Sequence, residues 1–352
     1  MAPEDWPVST RVEERTAQPR PGGRGRLATV RRDFFLDPAD RLTEQERALM
    51  TAMLHGLVSD VADELRAGLP PRSTVANDDD NQDLVSELNA AGLLDMAGLV
   101  ELLLRRADEE QIAGSVRARA GRRDGRFLQA LVSDDDPSIS AAAMALILAR
   151  GRRRDRFAQL RIEFDDLPPR VAAALVHAVA AALRRRLLVT IDPAGADRQL
   201  DAAGRALLGR HDAGRSMEAL TGELVRLLDG SGRLDDELIA LAADEGEVGL
   251  VAEALGRRAA IATDDAAAHL LSGEGEQLML LLRMAAVSRE LAARLLAGPG
   301  DLLGIADPAR EIARFDSLDT AEVDAAREWL QLDPDYRAAL TALGQVRGQR
   351  AR

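Results

Sequence analysis

From Thr43 to about residue 346, apolar side chains recur at steps of three and four residues, and the breaks between runs are short and carry Gly, Asp, Ser or Pro. That periodicity puts the apolar residues on one stripe of an α-helix, and short links between helices make neighbours antiparallel. The first run shows the pattern plainly. Thr43 and Glu46 form a capping-box sequence, Met50, Met53, Leu54, Leu57, Val58, Val61 and Leu65 share one face, and Gly68, Pro70 and Pro71 stop the run. Composition agrees: 46% of the residues are hydrophobic but only 3% are aromatic. A core of Ala, Leu and Val is built by close helix packing, and scarce aromatic and β-branched residues disfavour a sheet.

The pattern predicts further helices from about Asp83, over 96–104, 109–119 and 123–132, and from Pro137 to about Arg150 with Asp136 as N-cap. Others are expected near 153–163 and 168–188. The stretch Leu187–Ile191 has strand-like composition but reads as a helix end. Beyond Pro193, helices are expected near 195–210, 215–228, 234–243, 246–258, 264–271, 274–285, 288–297, 307–314, 319–331 and 334–346. One repeat is visible by letters. Ala259-Ala260-Ile261, Ala266-Ala267, Leu270-Leu271 and Gly273 recur as Ala285-Ala286-Val287, Ala292-Ala293, Leu295-Leu296 and Gly298. The offset is the size of a helical hairpin, a unit that buries its face only by stacking on neighbours. The expected fold is all-α: stacked antiparallel helical hairpins, a HEAT-like α-solenoid or α–α superhelix. Residues 1–32, rich in Pro, Gly and Arg, read as a disordered tail. Residues 33–190 then read as an N-terminal helical array and 191–346 as a C-terminal one continuous with it.

Three stretches carry a family resemblance. Arg41-Leu42-Thr43-Glu44-Gln45-Glu46-Arg47-Ala48-Leu49-Met50, continuing to Asp60-Val61-Ala62-Asp63-Glu64-Leu65-Arg66, resembles the opening of the bacterial family known as domain of unknown function 2336. Asp165-Asp166-Leu167-Pro168-Pro169-Arg170-Val171-Ala172 resembles its R-x-D-L-P-x-x-L-A turn, although Glu163 and Phe164 here precede the Asp-Asp-Leu-Pro. The block from Gly232 to Ser288 is similar as well. The resemblance covers roughly residues 33–300. It implies a helical-repeat fold found mainly in alphaproteobacteria and supplies no catalytic residues to carry over.

Several chemistries are excluded outright. The chain has no Cys and no Lys, so disulfides, thiolate nucleophiles, Schiff bases and a P-loop lysine are impossible. His55, His177, His211 and His269 stand apart, without metal-binding spacing. The acidic pairs (Asp78 to Asp80, Asp134 to Asp136, Asp165-Asp166, Asp235-Asp236, Asp264-Asp265) mostly precede helices, where carboxylates cap free N–H groups. Gly230-Ser231-Gly232 does not complete a nucleophile elbow. No catalytic, metal or cofactor residues are therefore assigned. A net charge of −13 argues against general affinity for nucleic acid or anionic membranes. No signal-peptide pattern and no uncharged apolar run of about 18 residues is present, so a cytoplasmic location without a membrane partner is expected.

One charge asymmetry remains. Residues 116–186 hold 15 Arg against 8 Asp and Glu. The dense groups are Arg117, Arg119, Arg122, Arg123 and Arg126; Arg150, Arg152, Arg153, Arg154 and Arg156; and Arg184, Arg185 and Arg186. All fall at predicted helix ends. They form either a basic stripe for an acidic partner, phosphorylated protein or nucleic acid, or cations that offset helix dipoles and pair with nearby Asp. The leading functional expectation is a non-enzymatic scaffold or regulatory adaptor for another protein. The alternatives are a nucleic-acid-binding repeat protein using the 116–186 region and an enzyme with a composite site that no linear motif announces.

Overall fold

Short polar side chains start several of these helices and left-handed residues stop several of them. The computed structural model describes residues 42–70, 80–120, 126–187, 192–272, 274–297, 305 and 307–344. Among these there are sixteen α-helices and no strands. They are α1 Glu44–Ala67, α2 Asp80–Ala90, α3 Ala97–Ala120, α4 Arg126–Val132, α5 Pro137–Arg152, α6 Pro169–Leu187, α7 Pro193–Leu208 and α8 Met217–Gly230. There follow α9 Asp236–Asp244, α10 Val248–Ala259, α11 Thr263–Leu271, α12 Gly275–Met284, α13 Arg289–Ala297, α14 Pro308–Ser317, α15 Thr320–Leu330 and α16 Pro334–Ala342. Residues Glu46–Arg352 form one compact unit. The expected tail over 1–32, Asp78 and Asp79 of the first acidic group, residues 188–191, and Gly273 and Gly298 of the repeat lie outside the described residues.

The carboxylate caps are present. Asp136 accepts from Ser138 N at 2.8 Å, Asp235 from Leu238 N at 2.9 Å, and Asp192 from Gly195 N at 3.0 Å. At the other ends a single device recurs. Gly92, Gly232, Gly246, Ala260 and Ala286 all have positive φ, and the residue after each donates back to a carbonyl five residues earlier, as Ile261 N does to Gly256 O at 3.0 Å and Val287 N to Leu282 O at 3.2 Å. This is the Schellman closure, which satisfies helix-end carbonyls. Ala260 and Ala286 hold equivalent places in the sequence repeat, so the letter similarity marks a shared backbone turn.

Two expectations are corrected. Helices were expected over both 96–104 and 109–119, but α3 runs unbroken through both. The helix expected near 153–163 is absent: a bridge joins Arg154 to Leu160, and a single 3-10 turn follows at Phe164–Asp166. Asp155 decides this locally. Its side chain accepts from Phe157 N and Gln159 N, both at 2.8 Å, while Ala158 takes φ 61°, so the chain closes a tight hairpin instead of a helical turn.

The apolar residues gather into two cores. One joins α1, α2, the first half of α3, Ile162, Leu167, α6 and α7. The other joins Ile112 of α3 with α4, α5 and the helices from α8 to α15. Helices α4 and α5 belong with the later half of the chain, and α3 contributes to both cores. In the second core α8 packs on α10, α10 on α12, and α12 on α14, so alternate helices lie side by side.

Candidate functional site

A half-open cavity of about 320 Å³ lies where the two cores meet. Its walls carry opposite charge. All seven of its arginines (105, 106, 117, 150, 153, 154 and 161) come from α3, α5 and the segment that follows α5. Four of its six glutamates, Glu218, Glu245, Glu247 and Glu253, come from α8, the α9–α10 turn and α10. Glu109 and Glu110 are the other two, on α3.

The turn that brings the walls together depends on Gly246. Its φ is +73°, and a Cβ there would stand 2.8 Å from Ala113 Cα, so only glycine lets the α9–α10 turn press against α3 between Glu110 and Arg117. Glu245 accepts from Phe127 N at 2.9 Å and caps α4. Ion pairs then cross the cavity. Arg106 bonds Glu109 and Glu218, each at 2.6 Å, and Arg150 bonds Glu247 through both terminal nitrogens. Arg105 reaches Asp264 at 2.6 Å. Burial opposes the charge on Arg106, and the carboxylates of Glu109, Glu218 and Asp166 more than offset it, so its pKa lies above the ordinary arginine value. Arg105 and Arg106 each keep a buried Nε with no hydrogen-bond partner; the 3.4 Å approach of Arg105 Nε to Glu109 is an ion-pair distance that misses hydrogen-bond geometry.

Beneath the cavity, Asp166 organises the backbone. Its side chain is wholly buried. It accepts from Arg153 Nε at 2.8 Å, Arg153 Nη2 at 2.5 Å, Glu163 N at 3.0 Å and Met217 N at 3.0 Å. Arg153 also donates to the carbonyls of Ala149 and Arg215. One carboxylate thus fixes the end of α5, the 3-10 turn and the start of α8.

The arginines singled out from the sequence separate into groups. Arg117, Arg150, Arg153 and Arg154 are brought to the cavity. Arg153 faces the interior, paired with Asp166, so burial removes it from any surface stripe. Arg184 pairs with Asp197, and Arg185 and Arg186 approach Glu87, away from the cavity. Arg126, Arg152 and Arg156 are exposed, and Arg156 stacks on Phe157 with 4.8 Å to the ring centroid. Arg119 ends α3 outside the cavity lining. Arg122 and Arg123 lie outside the described residues. Sequence reasoning missed Arg105, Arg106, Arg161 and every glutamate of the cavity. The available signal was Arg105 and Arg106 followed by Glu109 on one helical face, a spacing that pairs charges.

The histidines stay structural. His211 Nε2 lies 3.0 Å from the Leu167 carbonyl, which only accepts, and its ring meets Phe164 edge-on at 5.2 Å. Among the described residues no group of His, Asp and Glu is arranged to hold a metal ion, and no helix is long and apolar enough to cross a membrane.

Fold and site define an all-helical protein with a charged cavity between two apolar cores. The chain belongs to the DUF2336 family, described as an uncharacterised protein conserved in bacteria, whose model matches residues 116–328, more than half of its length. The match takes in the Asp165–Ala172 turn and the Gly232–Ser288 block. No curated protein and no solved structure matches the chain.

Proposed function

We propose that this chain is a non-enzymatic, cytoplasmic helical-repeat adaptor that docks a protein partner at the hairpin after α5. The side-by-side packing of alternate helices α8, α10, α12 and α14 supports a HEAT-like stack, an architecture that offers extended binding surfaces. The observation that carries the reading is Phe157. It stands 68% exposed at the hairpin tip in a chain with only 3% aromatic residues. The backbone beneath it is held by the Arg154–Leu160 bridge and both bonds to Asp155. A rigid exposed aromatic beside arginines is the composition of an interface hot spot, because little conformational entropy is lost when it is buried.

A photocrosslinking amino acid at position 157, introduced in cells, tests this. Discrete adducts at 157 that are absent when the same group replaces exposed Arg226 are expected, and Phe157→Ala is expected to abolish co-purification of the adduct partner without lowering the melting temperature. The absence of any adduct specific to position 157 refutes the reading.

A further inference from the structure

We infer that the charged cavity is a binding site for a phosphate monoester, held between Arg117 and Arg154, and that Glu110 occupies the place of the phosphate when no ligand is bound. Most of the cavity's arginines are already neutralised one to one. Arg153 is matched by Asp166, Arg161 by Asp60, Arg150 by Glu247 and Arg105 by Asp264. Arg117 and Arg154 differ. They come from separate elements, α3 and the hairpin, yet share one carboxylate: Glu110 Oε1 lies 2.9 Å from Arg117 Nη2, and Oε2 lies 2.6 Å from Arg154 Nη2. The two arginine side chains are each about one-third exposed, 35% and 34%. Two positive charges share one negative charge there, and Arg154 also donates from Nη1 to the Ala158 carbonyl at 3.0 Å.

Two helix starts also face the cavity, beside the carboxylates of Glu247 and Asp264. Helices α10 and α11 both begin at the cavity, at Val248 and Thr263, and neither has a side-chain cap at its N-terminus. Uncapped helix starts present partial positive charge to an anion. Gly246 sets the start of α10 against the stretch of α3 that carries Glu110 and Arg117. The buried Arg106, nine-tenths enclosed and lining the same cavity, keeps an Nε without a partner. Phosphate suits this site better than a carboxylate, since three oxygens can take parallel pairs of bonds from two guanidinium planes at once. The volume of about 320 Å³ leaves room for a small group esterified to the phosphate. Among the described residues no aromatic side chain lines the cavity, which gives a nucleobase nothing to stack on there. The inference stands on the cavity alone and holds whether or not Phe157 docks a protein.

Calorimetric titration of the full chain with inorganic phosphate, glycerol 3-phosphate and an otherwise uncharged phosphoserine peptide, each at matched ionic strength against chloride, tests it. Saturable binding is expected, weakened roughly tenfold or more in Arg117→Ala and in Arg154→Ala, and unchanged in Arg226→Ala. Glu110→Gln, which removes the internal competitor, is expected to tighten binding several-fold; a purely structural Glu110 would lower the melting temperature and leave the phosphate affinity alone. Glycerol 3-phosphate binding as tightly as the peptide assigns the ligand to a free phosphorylated molecule, and a peptide preference of about tenfold assigns it to a phosphorylated protein segment. The inference is overturned if none of the three probes binds, if binding survives the loss of Arg117 and Arg154, or if Glu110→Gln leaves affinity unchanged. Because the Glu110→Gln arm reads a gain, a misfolded arginine variant does not decide the outcome.

Discussion

Removing the carboxylate of Asp166 should be among the most damaging single changes available in this protein. In Asp166→Ala, the Arg153 guanidinium, only 5% exposed, loses its counterion and keeps two neutral carbonyl acceptors, those of Ala149 and Arg215. Leaving a buried charge unpaired costs about 3–5 kcal/mol. The amides of Glu163 and Met217 lose their acceptor at the same time, at about 1–3 kcal/mol each where water does not reach them. These losses share one site and do not add, so a total of about 4–6 kcal/mol is expected, a large part of the roughly 5–15 kcal/mol that holds a domain folded. The double variant Arg153→Met/Asp166→Leu removes both charges and leaves only neutral groups, the two amides and the carbonyls of Ala149 and Arg215, so it should be more stable than Asp166→Ala by about 2 kcal/mol or more. Urea unfolding followed by far-UV circular dichroism measures all three chains, with equal denaturant slopes as the condition for comparison. The reasoning fails if Asp166→Ala lies within about 1 kcal/mol of the parent, or if the double variant is no more stable than the single one.

Three further outcomes follow from the geometry. Gly246→Ala places a Cβ 2.8 Å from Ala113 Cα at φ +73°, and should cost about 2–3 kcal/mol in the same urea assay. Ala286→Gly relieves a left-handed alanine at φ 50° and should raise the melting temperature, by about 0.5 kcal/mol of stability, since the gain in strain exceeds the added freedom of the unfolded chain only slightly. Burial, helped by Glu46 and Glu109, raises the Asp108 pKa from 3.8 to about 7. Because the folded pKa lies above the unfolded one, the native state holds the extra proton between these values, and stability falls as pH rises from about 4 to about 7. Asp108→Asn should therefore gain on the order of 1 kcal/mol above pH 7 and little near pH 4, after allowance for partial exposure, as measured by urea midpoints across that range.

Much of the fold was legible because its signals are local. Apolar stripes, Asp caps and the left-handed turns at Ala260 and Ala286 each depend on a few consecutive residues, so helix ends after residue 193 could be read to within a few positions. The failure at 153–163 is also local: Asp155 bonds its own backbone two and four residues ahead, and that competition overrides helical composition. The cavity was not legible. Its pairs span long separations, 112 residues for Arg106 and Glu218 and 97 for Arg150 and Glu247, so no spacing announces them. The Arg-rich region looked continuous along the chain, but α3, α5 and α6 point its groups to different places, and local counterions such as Asp197 and Glu87 neutralise Arg184 to Arg186.

The position of the cavity limits what it can be for. Helix α3 places Leu102, Leu103 and Ala107 in one core and Ile112 in the other, with Arg105, Arg106, Glu109 and Glu110 at the crossing. Apolar side chains would join two cores at least as well, because an enclosed ion pair recovers little more than its own desolvation. Among the described residues, seven guanidinium groups line that junction. They also leave the junction more sensitive to salt than the cores above and below it, since screening weakens charge pairs and leaves buried apolar contact almost untouched. An anion that competes for Arg117 and Arg154 would act where α3 passes from one core to the other.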